Sequence, residues 1–482
     1  MLRPVRGTRD MVRSIPHPKP YTLNPIPCFE VRRIMTSARR GYRWGLSFSL
    51  LLLLLLPVVV AAAPLAERQV LENGLTLLVR SSRALPIVTI KVTMQAGSLW
   101  EPEMRPGLAN LTALLLTRGT TTRTAAQIDE STDFIGASLS SSAGRDFSEV
   151  NLTLLKKDLP QGLALLADVL LQPAFEKAEI ARKVQELKAA LRKRQEDPGE
   201  VAEELFDELV FGNHPYGRPL EGNDASLSAI ARDEIVGFYR EHYTPERTFI
   251  TVVGDVDRGE ITGQFRALLG SWPKGKGGLK RATEPKPLQE KIVVKKVDRG
   301  VTQANIVLGH QGIRRDHPDF YALTVMNYIL GGGGFSSRLV ERIRERNGWA
   351  YDVSSQFSPG LEPGSFQVVL QTKNETAGQA VQEVVRELRR IREQGVTDQE
   401  LADAKAHLTG SFPLRLDTNA KLAGLISAVE YYKLGLDYAD RYRMLIEGVS
   451  KEDILRVARA HLRPEGYVLV VVADQAKAAI SE

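Results

Sequence analysis

The chain has 482 residues, 43% hydrophobic and 25% charged, an ordinary globular composition too long for one small core, so two or more domains are expected. Its formal net charge of +6 points towards an anionic partner until the charge is located: residues 1–63 carry ten Lys or Arg against Asp10 and Glu30, and the remainder carries 54 bases against 56 acids. The body is therefore near neutral and has no nucleic-acid signature.

The leader has its own logic. "ARRGYRWGLSFSLLLLLLLPVVVAAAPLAE" places a basic stretch before an uncharged apolar run from Trp44 to Ala63 that ends in small residues, the pattern of a secretory signal. Left uncleaved, the same run is long enough to anchor the chain in a membrane. Met35 opens a compact signal sequence and reads as the true start, since residues 1–34 are rich in Pro and Arg without periodicity. The only cysteine, Cys28, lies upstream of it, so the exported protein has neither disulfides nor thiolate metal sites. The expected location is the periplasm, or the inner membrane face if the signal is retained.

After the leader, "QVLENGLTLLVRSS" and "IVTIKVTMQAGS" alternate apolar and polar residues around turn signals and predict a strand pair. "GLANLTALLLTRGT", from Gly107 to Thr120, predicts a buried helix flanked by glycines. Helical spacing also covers Ala125 to Ile135, Leu159 to Leu171, Glu176 to Glu196 and Glu200 to Phe211, and "ERTFITVVGDV" returns to a strand. Residues 273–289, rich in Lys, Gly and Pro, read as a linker between a first domain at 67–272 and a second at 290–482.

The second domain repeats the first. "DEIVGFYREHYTPERTFITVVGD" aligns with "EDILRVARAHLRPEGYVLVVVAD", and the pairs His242/His461, Pro245/Pro464, Glu246/Glu465 and Asp255/Asp474 all share an offset of 219 residues. The reading is an α+β fold of two tandem homologous domains, each a mostly antiparallel sheet packed with helices, facing each other across a peptide-binding chamber.

"YILGGGGFSSRLVERIRERNGWAYDVSSQF", Tyr328 to Phe357, is the most specific segment. It resembles the second domain of the pitrilysin/insulinase family of zinc peptidases, in the branch of the mitochondrial processing peptidase, where a Gly-rich turn is followed by Ser-Arg-Leu and by an Arg seven residues before a Tyr. Here that pair is Arg344 and Tyr351. The resemblance implies that they contact the substrate carbonyl and developing oxyanion, and that Gly331, Gly332, Gly333 and Gly334 contact the peptide. No Lys-Ser/Thr follows the glycines, so they do not form a phosphate loop.

Active members carry H-x-x-E-H on a helix of the first domain, with a third ligand Glu on a later helix. The frame of that motif survives as Gly97-Ser98, Glu101, Gly107-Leu108-Ala109 and Gly119-Thr120, but the ligand positions hold Asn110, Ala113 and Leu114, and the later helix offers Ala189 and Ala190. Zinc needs three or four N, O or S donors, and none stands at these positions except a poorly ligating amide. None of the seven histidines has another at i+3 or i+4, so no second metal site is expected. His214 reads as a turn contact, His242 and His461 as one structural role kept in both copies, and Arg338 as a pin for the helix start.

The resemblance therefore implies a non-catalytic, substrate-binding subunit of a heterodimeric periplasmic zinc metallopeptidase, without a cofactor of its own. Its homologous H-x-x-E-H partner would hold the zinc, and the substrates would be peptides. The competing reading is a purely structural or binding subunit with no part in proteolysis. An enzyme active alone is disfavoured by the missing ligands.

Overall fold

The computed structural model describes residues 64–275, 291–478 and 480. The signal-like leader, Met35, Cys28 and most of the expected linker lie outside them. In the first half, β1 (Glu67–Val70), β2 (Thr76–Ser81) and β3 (Ile87–Met94) precede α1 (Leu108–Leu115) and α2 (Ala125–Phe134). The hairpin of β4 (Ser138–Ala143) and β5 (Ser148–Leu155) leads into α3 (Leu159–Leu171), α4 (Lys177–Glu196) and α5 (Pro198–Phe211). Then come α6 (Asp224–Ala229), α7 (Arg232–His242), β6 (Thr248–Gly254) and α8 (Arg258–Leu269).

The second half runs through β7 (Val293–Asp298), β8 (Gln303–Gln311) and α9 (Phe320–Asn327), which passes into π-helical windings at Tyr328–Gly332 and Val340–Arg346. After them stand β9 (Ala350–Ser358), β10 (Ser365–Lys373), α10 (Ala377–Gln394), α11 (Asp398–Ser411) and α12 (Asn419–Tyr431). The half ends with α13 (Tyr438–Glu447), α14 (Lys451–His461) and β11 (Val468–Ala473).

The repeat read from the sequence is a repeat of topology. One sheet runs β1-β2-β6-β3-β5-β4 and the other β7-β11-β8-β10-β9, so that, β1 apart, the orders match strand for strand. Each sheet has a single parallel pair, β2 with β6 and β7 with β11, and is otherwise antiparallel. Helix α7 and its counterpart α14 keep the 219-residue offset at both ends.

The sequences "TFITVVG" and "VLVVVA" are apolar on both faces, and every residue of β6 and β11 is buried. A strand buried on both faces needs cover on both sides. In β11, Leu469, Val471 and Ala473 join the core of their own half, whereas Val468, Val470 and Val472 pack against Ala202, Phe206 and Val210 of α5, from the first half. The exchange is reciprocal. In β6, Ile250 and Val252 face their own half, while Phe249 and Val253 join a core with Ala423, Ile426 and Val429 of α12. Between them, the hydroxyls of Thr251 and Ser427 lie 3.0 Å apart in a buried hydrogen bond.

A buried carboxylate pins this clasp. Asp146, at the tip of the β4–β5 hairpin, accepts hydrogen bonds from the Tyr216 hydroxyl, from the Tyr432 hydroxyl at 3.0 Å and from the Leu361 N–H at 3.0 Å. Its backbone carbonyl accepts from Tyr431 at 2.8 Å and from the Trp100 indole at 3.1 Å. Segments from both halves thus close on one residue.

Phe206 of α5 is fully buried and lies so close to the second sheet that a Cβ on Gly309 would meet its ring at 2.9 Å. Phe206→Ala is expected to cost about 3–5 kcal/mol, and because the helix belongs to both cores, denaturant unfolding should remain one transition at a lower midpoint. A second half melting independently at the wild-type midpoint would contradict the exchange.

Candidate functional site

Helix α1 carries the positions at which the resemblance expects metal ligands. It packs against α4 and α7, and seven of its eight residues are buried, so its sequence answers first to packing. Gly107 starts it in a left-handed conformation, with φ of +91°, and a Cβ there would meet the Glu221 carbonyl at 2.6 Å. Glu101 reaches back to the helix start, where its Oε1 accepts the Ala109 N–H at 2.7 Å. Burial outweighs these backbone donors and pushes its carboxyl up to about 8, and its Oε2 has no hydrogen-bond partner among the described residues.

The i and i+4 positions of α1, Asn110 and Leu114, lie one above the other, as two imidazoles on one metal would. Asn110 and Ala113 are buried and Leu114 half-buried; Ala189 and Ala190 are exposed on α4. One amide and four hydrocarbon side chains do not fit zinc. The helix geometry of a metal site is present and its chemistry is not.

The second cluster is built on the second half. Gly331 belongs to the π-helical turn and lies against β9, where a Cβ would come within 2.5 Å of the Ser355 hydroxyl. A Cβ on Gly332 would meet the Asn327 amide at 2.7 Å, and one on Gly333 the Tyr328 carbonyl at 2.6 Å. Close packing within the chain thus accounts for three of the four glycines that the resemblance assigns to peptide contact. Gly334 has φ of +58° and open space around it. The turn is latched by Asn327, which donates to the Ser355 carbonyl at 3.0 Å and accepts the Ser355 hydroxyl at 2.8 Å.

Arg344 and Tyr351 are brought together, with a residue the sequence reading passed over. The Arg344 guanidinium stacks on the ring of Tyr351, 5.2 Å from its centroid, and on that of Phe335 at 4.9 Å. Both rings face solvent, Tyr351 at 74% and Phe335 at 68% exposure. Among the described residues no side chain or carbonyl accepts a hydrogen bond from the Arg344 side chain, in contrast to its neighbours: Arg346 pairs with Glu341 and Arg342 with Glu387. Arg338 grips Glu400 through two hydrogen bonds of 2.6 and 2.8 Å and donates to the Gly395 carbonyl at 3.0 Å, a pin as expected.

The histidines divide. His214 Nδ1 accepts the Tyr216 N–H at 3.1 Å, a turn contact, and burial pushes its imidazole down to about 4. His242 is buried between Phe238 and Trp100 and is likewise pushed down to about 4. Its repeat counterpart does not share that role: His461 Nε2 lies 2.7 Å from Asp319 Oδ2, and His317 closes the group with its ring centroid 5.2 Å from that of His461. Among the described residues, His317, Asp319 and His461 bring metal-type donor atoms within 4.8 Å of one another. A search at i+3 and i+4 cannot find residues separated by 142 positions.

The sequence profile described as "Insulinase (Peptidase family M16)" matches residues 76–224, and that described as "Peptidase M16 inactive domain" matches residues 229–408. The chain belongs to the M16 insulinase family. Relatives include uncharacterized zinc proteases of Rickettsia bellii, 27% identical over 80% of this chain and 90% of that protein, and of Streptomyces coelicolor, 27% identical over 85% and 90%. A crystal structure of a "peptidase M16 inactive domain" from Pseudomonas fluorescens superposes with a TM-score of 0.78 at 27% identity, covering 85% of this chain and 97% of that one. A protease from Helicobacter pylori shares the fold, with a TM-score of 0.79 at 20% identity over 85% and 99% of the two chains. At Asn110, Ala113 and Leu114 of α1 this M16 chain presents neither imidazole nor carboxylate.

The Glu101 carboxyl yields a prediction with a definite sign. Its folded value near 8 lies above the ordinary 4.5, so the folded state holds a proton that the unfolded state has lost, and stability falls as pH rises from about 4.5 to about 8 before levelling off. Glu101→Gln should flatten that decline when unfolding free energy is measured against pH. A slope identical to wild type would show that Glu101 is not the buried acid.

Proposed function

We propose that this M16 chain is the non-catalytic, substrate-binding subunit of a two-chain zinc metallopeptidase. The partner is a homologous H-x-x-E-H chain that holds the zinc, the general base and the third ligand. This chain supplies Arg344, Tyr351 and the Gly331–Gly334 turn to the peptide. The observation that carries the proposal is a half-buried Arg344 packed against two exposed aromatic rings, its N–H donors unclaimed among the described residues, on a chain that has Asn110, Ala113 and Leu114 where the resemblance expects metal ligands.

The chemistry of that arrangement is donation. A guanidinium has five N–H donors in a rigid plane, and packing against two rings restrains that plane while none of the donors is claimed among the described residues. The edge suits a substrate carbonyl oxygen, whose negative charge grows as the carbonyl is attacked, and the Tyr351 hydroxyl adds a further donor. The proposed substrates are unfolded or short peptides, since a chamber enclosed by two such chains excludes folded ones. The leader assigns the complex to the periplasm, with membrane attachment only if the signal is retained; nucleic acid has no part in it.

The test is co-purification with an H-x-x-E-H member of the family from the same genome, followed by peptide hydrolysis. Arg344→Ala in the complex is expected to lower kcat/KM roughly 100-fold without loss of assembly, with Arg344→Lys in between. Unaltered turnover by the Arg344→Ala complex would instead make this chain a scaffold.

A further inference from the structure

We propose that His317, Asp319 and His461 form a binding site for a first-row divalent transition metal, with zinc as the reference ion, separate from the lost site on α1. The group lies where the start of α9 meets the end of α14. Asp319 is the residue before α9 and His461 the last residue of α14. One donor atom from each of the three side chains lies within 4.8 Å of the other two.

The donors suit the ion. Two imidazoles and one carboxylate are a ligand set for zinc and its neighbours and a poor one for calcium or magnesium, which take oxygen. The carboxylate is already divided between two tasks. Oδ1 accepts from the Arg456 guanidinium at 2.8 Å, which orients the group, and Oδ2 faces His461 Nε2 at 2.7 Å and His317 Nδ1 at 3.9 Å. Ligands around a tetrahedral zinc stand about 3.3 Å apart when each bond is about 2.0–2.1 Å. A bound ion would move those two spacings in opposite directions, take the place of the proton shared by His461 Nε2 and Asp319 Oδ2, and draw His317 Nδ1 away from the Asp319 N–H, with water as the fourth ligand. In the metal-free fold His317 Nδ1 accepts the Asp319 N–H at 3.1 Å, a bond that orients the ring. The three side chains are 14 to 35% exposed, so an ion can enter.

The repeat provides an internal comparison. In the first half the equivalent histidine, His242, meets Trp100 in a buried aromatic contact with ring centroids 6.4 Å apart. In the second half the same junction carries a second imidazole and a carboxylate. The two copies thus surround equivalent histidines differently, and only the second puts metal-type donors around its histidine. The ion would staple α9 to α14, and α9 runs directly into the Gly-rich turn beside Arg344, so the staple would stiffen the platform of the proposed peptide contact.

The test uses the untagged full chain, stripped with a chelator and titrated with zinc by calorimetry and with cobalt by visible absorption. One equivalent is expected, with a rise in Tm. His317→Ala and His461→Ala should each abolish both effects, whereas Asn110→Ala should leave them unchanged. Where His461→Ala fails to fold, the more exposed His317→Gln gives the same reading. Absence of uptake by the wild type, or equal uptake by the His317 variants, would overturn the site. No readout here depends on peptidase activity, so its failure is distinguishable from failure of the functional proposal.

Discussion

Two strands that are apolar on both faces govern this molecule. Neither β6 nor β11 can be covered by its own half alone, because the helices that follow the hairpins reach only one side of each sheet. The chain resolves this by exchange: α5 covers the second sheet and α12 the first, so the two copies of the repeat form one folding unit. Asp146 fixes the arrangement, since three donors from separate segments meet on its carboxylate, and a buried charge is tolerated only when it is so satisfied.

The same constraint explains why the ligand-free helix persists. Most of α1 is buried against neighbouring helices and β4, and the fold depends on that packing whether or not a metal is held. With Asn110, Ala113 and Leu114 the helix brings few polar groups to a largely buried surface, while Glu101 and Gly107 serve its start. The opposite course was taken at the second cluster. There Phe335, on a short 3-10 turn, and Tyr351, on β9, face solvent beside Arg344 of the π-helical winding, whose Val340 and Ile343 are buried in the core.

Much of this was legible in the sequence. The 219-residue register gave the tandem repeat because one supersecondary unit, copied, keeps its turn residues in step, and Leu159–Leu171 is a helix at the bounds its apolar period predicts. The exchange of α5 and α12 was not legible, because a helix's apolar face does not say which sheet it meets. Nor was Phe335 beside Arg344, since π-helical winding shifts side chains off the α-helical period. The glycines of the turn were visible, but their reason was not: Gly331 to Gly333 answer to Ser355, Asn327 and Tyr328 of the same chain. His317, Asp319 and His461 converge only through tertiary packing of α9 on α14.

The function proposed above divides labour, with this chain gripping peptide and another cleaving it. The direct measurement is incubation of the isolated chain with a labelled unfolded peptide in excess zinc, with anisotropy to follow binding and mass spectrometry to follow the peptide. Binding that weakens in Arg344→Ala, with the peptide recovered intact, is the predicted result. Cleavage by the lone chain would contradict it.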